Sequence, residues 1–167
     1  MKPAAKSLPA VAPPPEPAAL DASAAAARTA AGLVLLLAGA HMSFAAPEEF
    51  AAVVERYRLV PQEYLLGFAW LLPAAEVLIG TALVLGWRAR PFCAAAGGCF
   101  LMFIAALGST KARGIPLEDC GCFGKGIHLK PSLTMALDSV LMGLSYWGWR
   151  RPRAFAWLDA WIERGNP

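Results

Sequence analysis

The residues best equipped for chemistry crowd into one segment, which runs from Lys111 through Arg113 and Gly114 to Cys120-Gly121-Cys122-Phe123-Gly124-Lys125. Two thiols flank a glycine there, with Arg113, Lys125 and His128 nearby. Positive charge beside a thiol raises its thiolate fraction, and the thiolate is the attacking species in disulfide exchange. Glu118 and Asp119 act in the opposite direction. A disulfide between residues two apart needs a sharp bend, which Gly121 and Gly124 ease. It would be strained, and strained exposed disulfides are the exchangeable ones. An oxidising periplasm suits such chemistry. On residues alone, Cys120 and Cys122 are a redox-exchange pair, a passive loop staple or part of a metal site. His128 and two thiols fall short of the four ligands zinc prefers, and no metal set is assigned. Cys93 and Cys99 lie six apart on an apolar run, face different directions and read as small core residues.

Three further ionisable residues, His41, Glu76 and Asp138, interrupt otherwise apolar runs. A charge in hydrocarbon costs several kcal/mol unless it is interior, paired or neutralised. At ~1.5 Å rise per residue, His41 and Asp138 fall at similar depth below the outer end of their helices and are expected to pair. Glu76 lies deeper. Thr134, Asp138 and Ser145 share one helix face. These groups either hold helices together or form a proton-handling or quinone-headgroup site beneath the cysteine loop.

The elements that position these residues are apolar and long. Of 167 residues, 57% are hydrophobic and 16% charged, far from the roughly one-quarter charge of soluble domains. The formal net charge of +3 and the scatter of basic residues exclude a nucleic-acid footprint. Four apolar runs, at 29–46, 64–87, 92–110 and 132–149, each suit the ~30 Å hydrocarbon layer. The expected fold is all-α: an integral membrane four-helix bundle over residues 28–150. A disordered Ala/Pro-rich tail (1–27) precedes it and a short cytoplasmic tail (151–167) follows it. Ser43-Phe44-Ala45 resembles a small-residue cleavage site, but the run before it is long for a signal segment.

Lys and Arg placement sets orientation. With the N-terminus inside, Lys2, Lys6, Arg28, Arg88, Arg90, Arg150, Arg151, Arg153 and Arg164 are cytoplasmic. Arg56, Arg58, Lys111, Arg113, Lys125 and Lys130 are then periplasmic. Both termini are therefore expected in the cytoplasm of a bacterial inner membrane. Pro47, Glu48 and Glu49 open an amphipathic helix whose apolar face is Phe50, Val53, Val54 and Tyr57, expected on the outer membrane face. Small-residue stripes, Gly32/Gly39/Ser43 on the first span and Ala94/Gly98/Ala105 on the third, are expected at helix contacts.

Taken together, these features resemble the MauE/DoxX-type membrane proteins, the methylamine-utilisation MauE family above all. The resemblance rests on Ala38-Gly39-Ala40-His41, Pro47 with Phe50 to Tyr57, Leu72-Pro73-Ala74-Ala75-Glu76 with Gly80, Arg113-Gly114, the Cys120-Gly121-Cys122-Phe123-Gly124 string and Asp138. It extends over residues 32–147. His41 stands where the family pattern calls for Lys. The resemblance implies a polytopic protein of the lipid bilayer that supports maturation of methylamine dehydrogenase, whose small subunit is rich in disulfides. It would work beside a periplasmic thioredoxin-like protein on such an exported, disulfide-containing client. Cys120 and Cys122 would exchange disulfides and Arg113 would orient the loop. A membrane quinone would take or give electrons, with Glu76 and Asp138 handling protons. Two other readings stand beside it: a non-enzymatic scaffold for a maturation partner, and a DoxX/DoxD-like quinone-linked oxidoreductase of small sulfur compounds.

Overall fold

A computed structural model describes residues 18–117, 120 and 130–151. These residues form five α-helices and one short 3-10 turn, with no strand among them. Helix α1 (Ala18–Ser43) begins ten residues earlier than expected, so 18–27 belong to the bundle rather than to a tail. The cause is local and tertiary at once. An alanine run has high helix propensity, Asp21 sits in the favourable first turn, and Ala24, Ala27 and Ala31 are buried. Residues 1–17 and 152–167, assigned to the tails, lie outside the described residues.

Helix α2 (Pro47–Arg56) starts with Pro at its first turn, followed by Glu48 and Glu49. Its expected apolar face is the inward one, with Phe50 and Val54 buried against Met42, Leu65, Ala69 and Leu72. The 3-10 turn Gln62–Tyr64 leads into α3 (Leu65–Leu85), which continues through Pro73. At its end Gly86 adopts φ 68°, and the N–H groups of Gly86 and Trp87 donate to the carbonyls of Leu83 and Ala82. This paired cap turns the chain within three residues into α4 (Ala89–Ala112). Pro91 lies in the first turn of α4, where its missing N–H removes no helical bond. Helix α5 (Pro131–Arg150) also begins on a proline.

Helix α1 packs along α3 and against α5, α4 packs along α5, and α3 touches α4 more lightly. Helices α3 and α5 are thus diagonal across the bundle. The α1–α3 contact is a glycine seam. A Cβ on Gly80 would sit 2.6 Å from the Gly32 carbonyl oxygen, and one on Gly39 would sit 2.7 Å from the Pro73 oxygen. The second small-residue stripe behaves differently. Ala94, Gly98 and Ala105 are exposed, and a Cβ on Gly98 would meet nothing within 4 Å. Helix α4 instead presents Cys93, Ala96, Phe100 and Leu107 to the core.

Three helices, spanning Leu20–Ser43, Gln62–Leu85 and Ala89–Ala112, are long and apolar enough to cross a membrane. Helix α5 is less apolar, carrying Thr134, Asp138, Ser139 and Ser145 in 20 residues. Around the outside Leu37, Trp70, Leu71, Leu78, Leu101 and Val140 are exposed, a surface suited to lipid and not to water. Arg28, counted above as a flanking charge, is instead 3% exposed, with its Nε donating to the Leu83 carbonyl at 3.1 Å.

Candidate functional site

Where α2 ends, Arg58 takes φ 52°, a left-handed conformation that stops the helix and turns the last carbonyls outward. Arg113, capping the far end of α4, reaches them. Its guanidinium donates to the Tyr57 oxygen at 2.5 Å and to the Arg58 oxygen at 3.1 Å. It also donates to the Ser109 carbonyl and hydroxyl, each at 3.2 Å. Gly114 follows with φ 65°, and Ile115 N–H donates to the Thr110 carbonyl, which sends the chain away from α4. Tyr57 completes the latch, its hydroxyl donating to the Cys120 carbonyl at 2.6 Å.

Held in this way, Cys120 is 1% exposed. It lies in the wall of a cavity of about 210 Å³ between α2, α3 and α4, whose other walls are almost wholly apolar and include Phe50, Tyr57, Phe68 and Phe103. Two carboxylates are also buried in the bundle. Glu76 on α3 is 4% exposed and Asp138 on α5 is 6% exposed. Glu76 Oε2 and Asp138 Oδ2 are buried with no hydrogen-bond partner. The charge of Asp138 acts on Glu76, and that of Cys120 on Asp138. Cys99 on α4 stands in the same relation to Glu76, while Cys93 is fully packed in the core.

Of the other polar groups on α5, Trp147 Nε1 donates across to Ser23 Oγ of α1 at 3.3 Å, whereas the hydroxyls on the Asp138 face stay within their own helix. Ser145 Oγ donates to the Leu141 carbonyl at 2.9 Å, and Thr134 Oγ1 faces the Lys130 carbonyl at 3.4 Å, both within their own helix. His41 is exposed and does not pair with Asp138, because its position on α1 turns it away from the bundle axis. Glu76 is the ionisable group brought to Asp138 instead. Cys122 and His128 lie outside the described residues. Among the described residues no group of three or more His, Cys, Asp or Glu could hold a metal ion. Sequence reasoning placed Tyr57 on an apolar face and missed its latch role. The available signal was a phenol at the end of an amphipathic helix, where the ring packs partly inward and the hydroxyl must find an acceptor.

A model of the methylamine utilisation protein MauE family matches residues 20–151, all five helices included. The chain belongs to the MauE family. Among its relatives is the methylamine utilization protein MauE of Methylorubrum extorquens, 36% identical over 127 residues, covering 75% of this chain and 65% of the relative. The protein of that name from Paracoccus denitrificans is 32% identical over 109 residues, covering 65% of this chain and 59% of the relative. This MauE-family chain thus spans less than two thirds of either relative. No solved structure matches it. Membership, together with three membrane-capable helices, makes it a membrane protein.

Proposed function

We propose that this membrane protein serves methylamine utilisation as a thiol-disulfide redox component. In this reading Cys120 and Cys122 exchange disulfides with a periplasmic thioredoxin-like protein or an exported, disulfide-containing client such as a dehydrogenase small subunit. The observation that carries the reading is the placement of Cys120, latched by Tyr57 and Arg113 in the wall of a cavity. Helix α5 is proposed as the fourth span, with both termini in the cytoplasm of the inner membrane. The basic end of the bundle supports that orientation. There Arg151 pairs with Asp21 at 3.6 Å and stacks over Trp147, and Arg90 stacks over Trp149.

A membrane quinone, which would supply a two-electron acceptor when bound, is matched by the cavity only at its apolar ring, since the Tyr57 hydroxyl in the wall is engaged by the Cys120 carbonyl. The aromatic rings of Phe50, Phe68 and Phe103 would hold an apolar ring, and exposed Leu59 and Met102 mark a mouth open to lipid. The test of the main reading is a trapped mixed disulfide. Cys122→Ser and Cys120→Ser variants, expressed in the periplasm-competent host, should each be examined for a covalent complex that a reductant dissolves. A complex from one variant is expected; none from either overturns exchange. The burial of Cys120 favours a second reading, a non-enzymatic scaffold whose loop is merely anchored. That reading requires the double variant to retain full function.

A further inference from the structure

At the end of the bundle away from Cys120, α1 and α4 begin and α3 and α5 finish. Arg88, Arg90 and Arg150 are exposed there. Helices α4 and α5 pack along one another, and at this end Arg90 Cζ lies over the Trp149 ring, 5.8 Å from its centroid. Tyr146 packs against the same ring, 5.8 Å between centroids. Trp149 immediately precedes Arg150, so the stack brings the arginines of both helices to one end of their contact. Carboxylates do not balance them. Among the described residues Asp21 is the one acid at this end, and Arg151 takes it at 3.6 Å. Like charges gathered in this way repel, and an incoming anion relieves the repulsion. The backbone gives a second, independent sign. Arg88 takes φ 40°, two residues after Gly86 at φ 68°. Such a left-handed position suits Gly or Asn, because a larger side chain crowds its own backbone there. An arginine at that position is explained by what its side chain does outside the turn, and not by the turn.

We propose that Arg88, Arg90 and Arg150 form a binding site for the phosphodiester headgroup of an anionic membrane lipid, seated where α4 begins and α5 ends. The guanidinium offers phosphate a fork of N–H donors, and an indole beneath it fixes the fork through its charge without using those donors. Basic pockets between spans at headgroup level take lipid phosphates in this way. The occupant is a lipid and not a dissolved phosphate because the arginines stand at the rim of the lipid-facing surface. Leu85, Val140 and Tyr146 on the adjoining helices are exposed, so a headgroup held by the arginines leaves its acyl chains against apolar side chains. Trp147 and Trp149 supply the aromatic belt expected at that depth. A lipid bound there ties α4 to α5 and fixes the depth of this end of the bundle. The site owes nothing to the chemistry of Cys120.

The test uses the full chain in detergent micelles, titrated with phosphatidylglycerol or phosphatidylcholine and read as retained lipid by native mass spectrometry. The unmodified chain should retain phosphatidylglycerol at lower concentration than phosphatidylcholine, a comparison that needs no variant to fold. Arg90→Gln and Arg150→Gln should each weaken phosphatidylglycerol about fivefold. Arg56→Gln removes the same charge from α2 and should leave retention unchanged. Arg88→Gly separates the site from the fold: it should weaken retention while the protein withstands heating at least as well as the parent. Equal retention of the two lipids overturns the proposal. So does a loss in Arg56→Gln that matches the loss in Arg90→Gln, which would reduce the effect to net charge. Displacement of phosphatidylglycerol by equimolar inorganic phosphate assigns the arginines to a dissolved anion and overturns the lipid. Unchanged retention in Arg88→Gly, Arg90→Gln and Arg150→Gln overturns the site itself.

Discussion

A thiol buried beneath a phenol is governed by how firmly the backbone carrying it is held. Tyr57 holds Cys120 by one hydrogen bond, and Arg113 holds Tyr57 by another, so charge near the thiol and geometry of the latch are separable. Tyr57→Phe removes the hydroxyl alone and should destabilise the protein by about 1 kcal/mol. It should also speed alkylation of Cys120 severalfold, read against the unmodified chain. Arg113→Lys keeps the charge but loses the planar fork that reaches two carbonyls at once. If Arg113 works by positioning, Arg113→Lys should speed alkylation about as much as Tyr57→Phe; if it works through charge, the lysine variant should match the parent. Arg113 stands out in the sequence by its place before Gly114 and the cysteine string. Its partners do not, because they lie 55 and 56 residues earlier and become neighbours only when α2 folds back onto the bundle.

At the scale of helices, the glycine seam between α1 and α3 decides how closely two spans approach. Gly80→Leu would drive a side chain into the Gly32 carbonyl and the Leu36 backbone, groups that cannot swing aside. We expect it to lower stability by about 1–3 kcal/mol or more, measured as loss of detergent-resistant monodisperse protein on heating. Gly98→Leu, on the outward face of α4, should leave that curve unchanged. The two glycines look alike in sequence. Spacing identifies small-residue stripes but not which of them meets a neighbour, since that depends on how each helix is rotated about its axis. The same ignorance of rotation allowed His41 and Asp138 to be paired on depth alone, whereas the bundle turns His41 outward. Helix starts were more legible where a proline marks them, as at Pro47 and Pro131, than at Ala18, where alanines carry propensity without punctuation.

For the whole molecule, the placement of α5 settles both topology and site. If α5 spans the bilayer, Lys130→Cys and Arg151→Cys, each introduced singly into a chain otherwise lacking cysteine, should react with an impermeant maleimide from opposite sides of sealed vesicles. Lys130→Cys is expected on the periplasmic side. Labelling of both from one side would exclude a fourth span and with it the two-cytoplasmic-termini orientation. The site depends on this architecture because the buried Glu76 and Asp138 come from helices that are diagonal in the bundle.

The order of apolar and polar residues by itself determined the membrane environment, the all-helical class, the family and the amphipathic face of α2, for hydropathy and local spacing are properties of the chain read in one dimension. Which polar groups face one another is a property of helix rotation and of contacts between distant segments. Only the folded bundle therefore decided that Cys120 sits in the wall of an apolar cavity, that Tyr57 and Arg113 hold it there, and that Glu76 and Asp138 are buried while His41 is exposed.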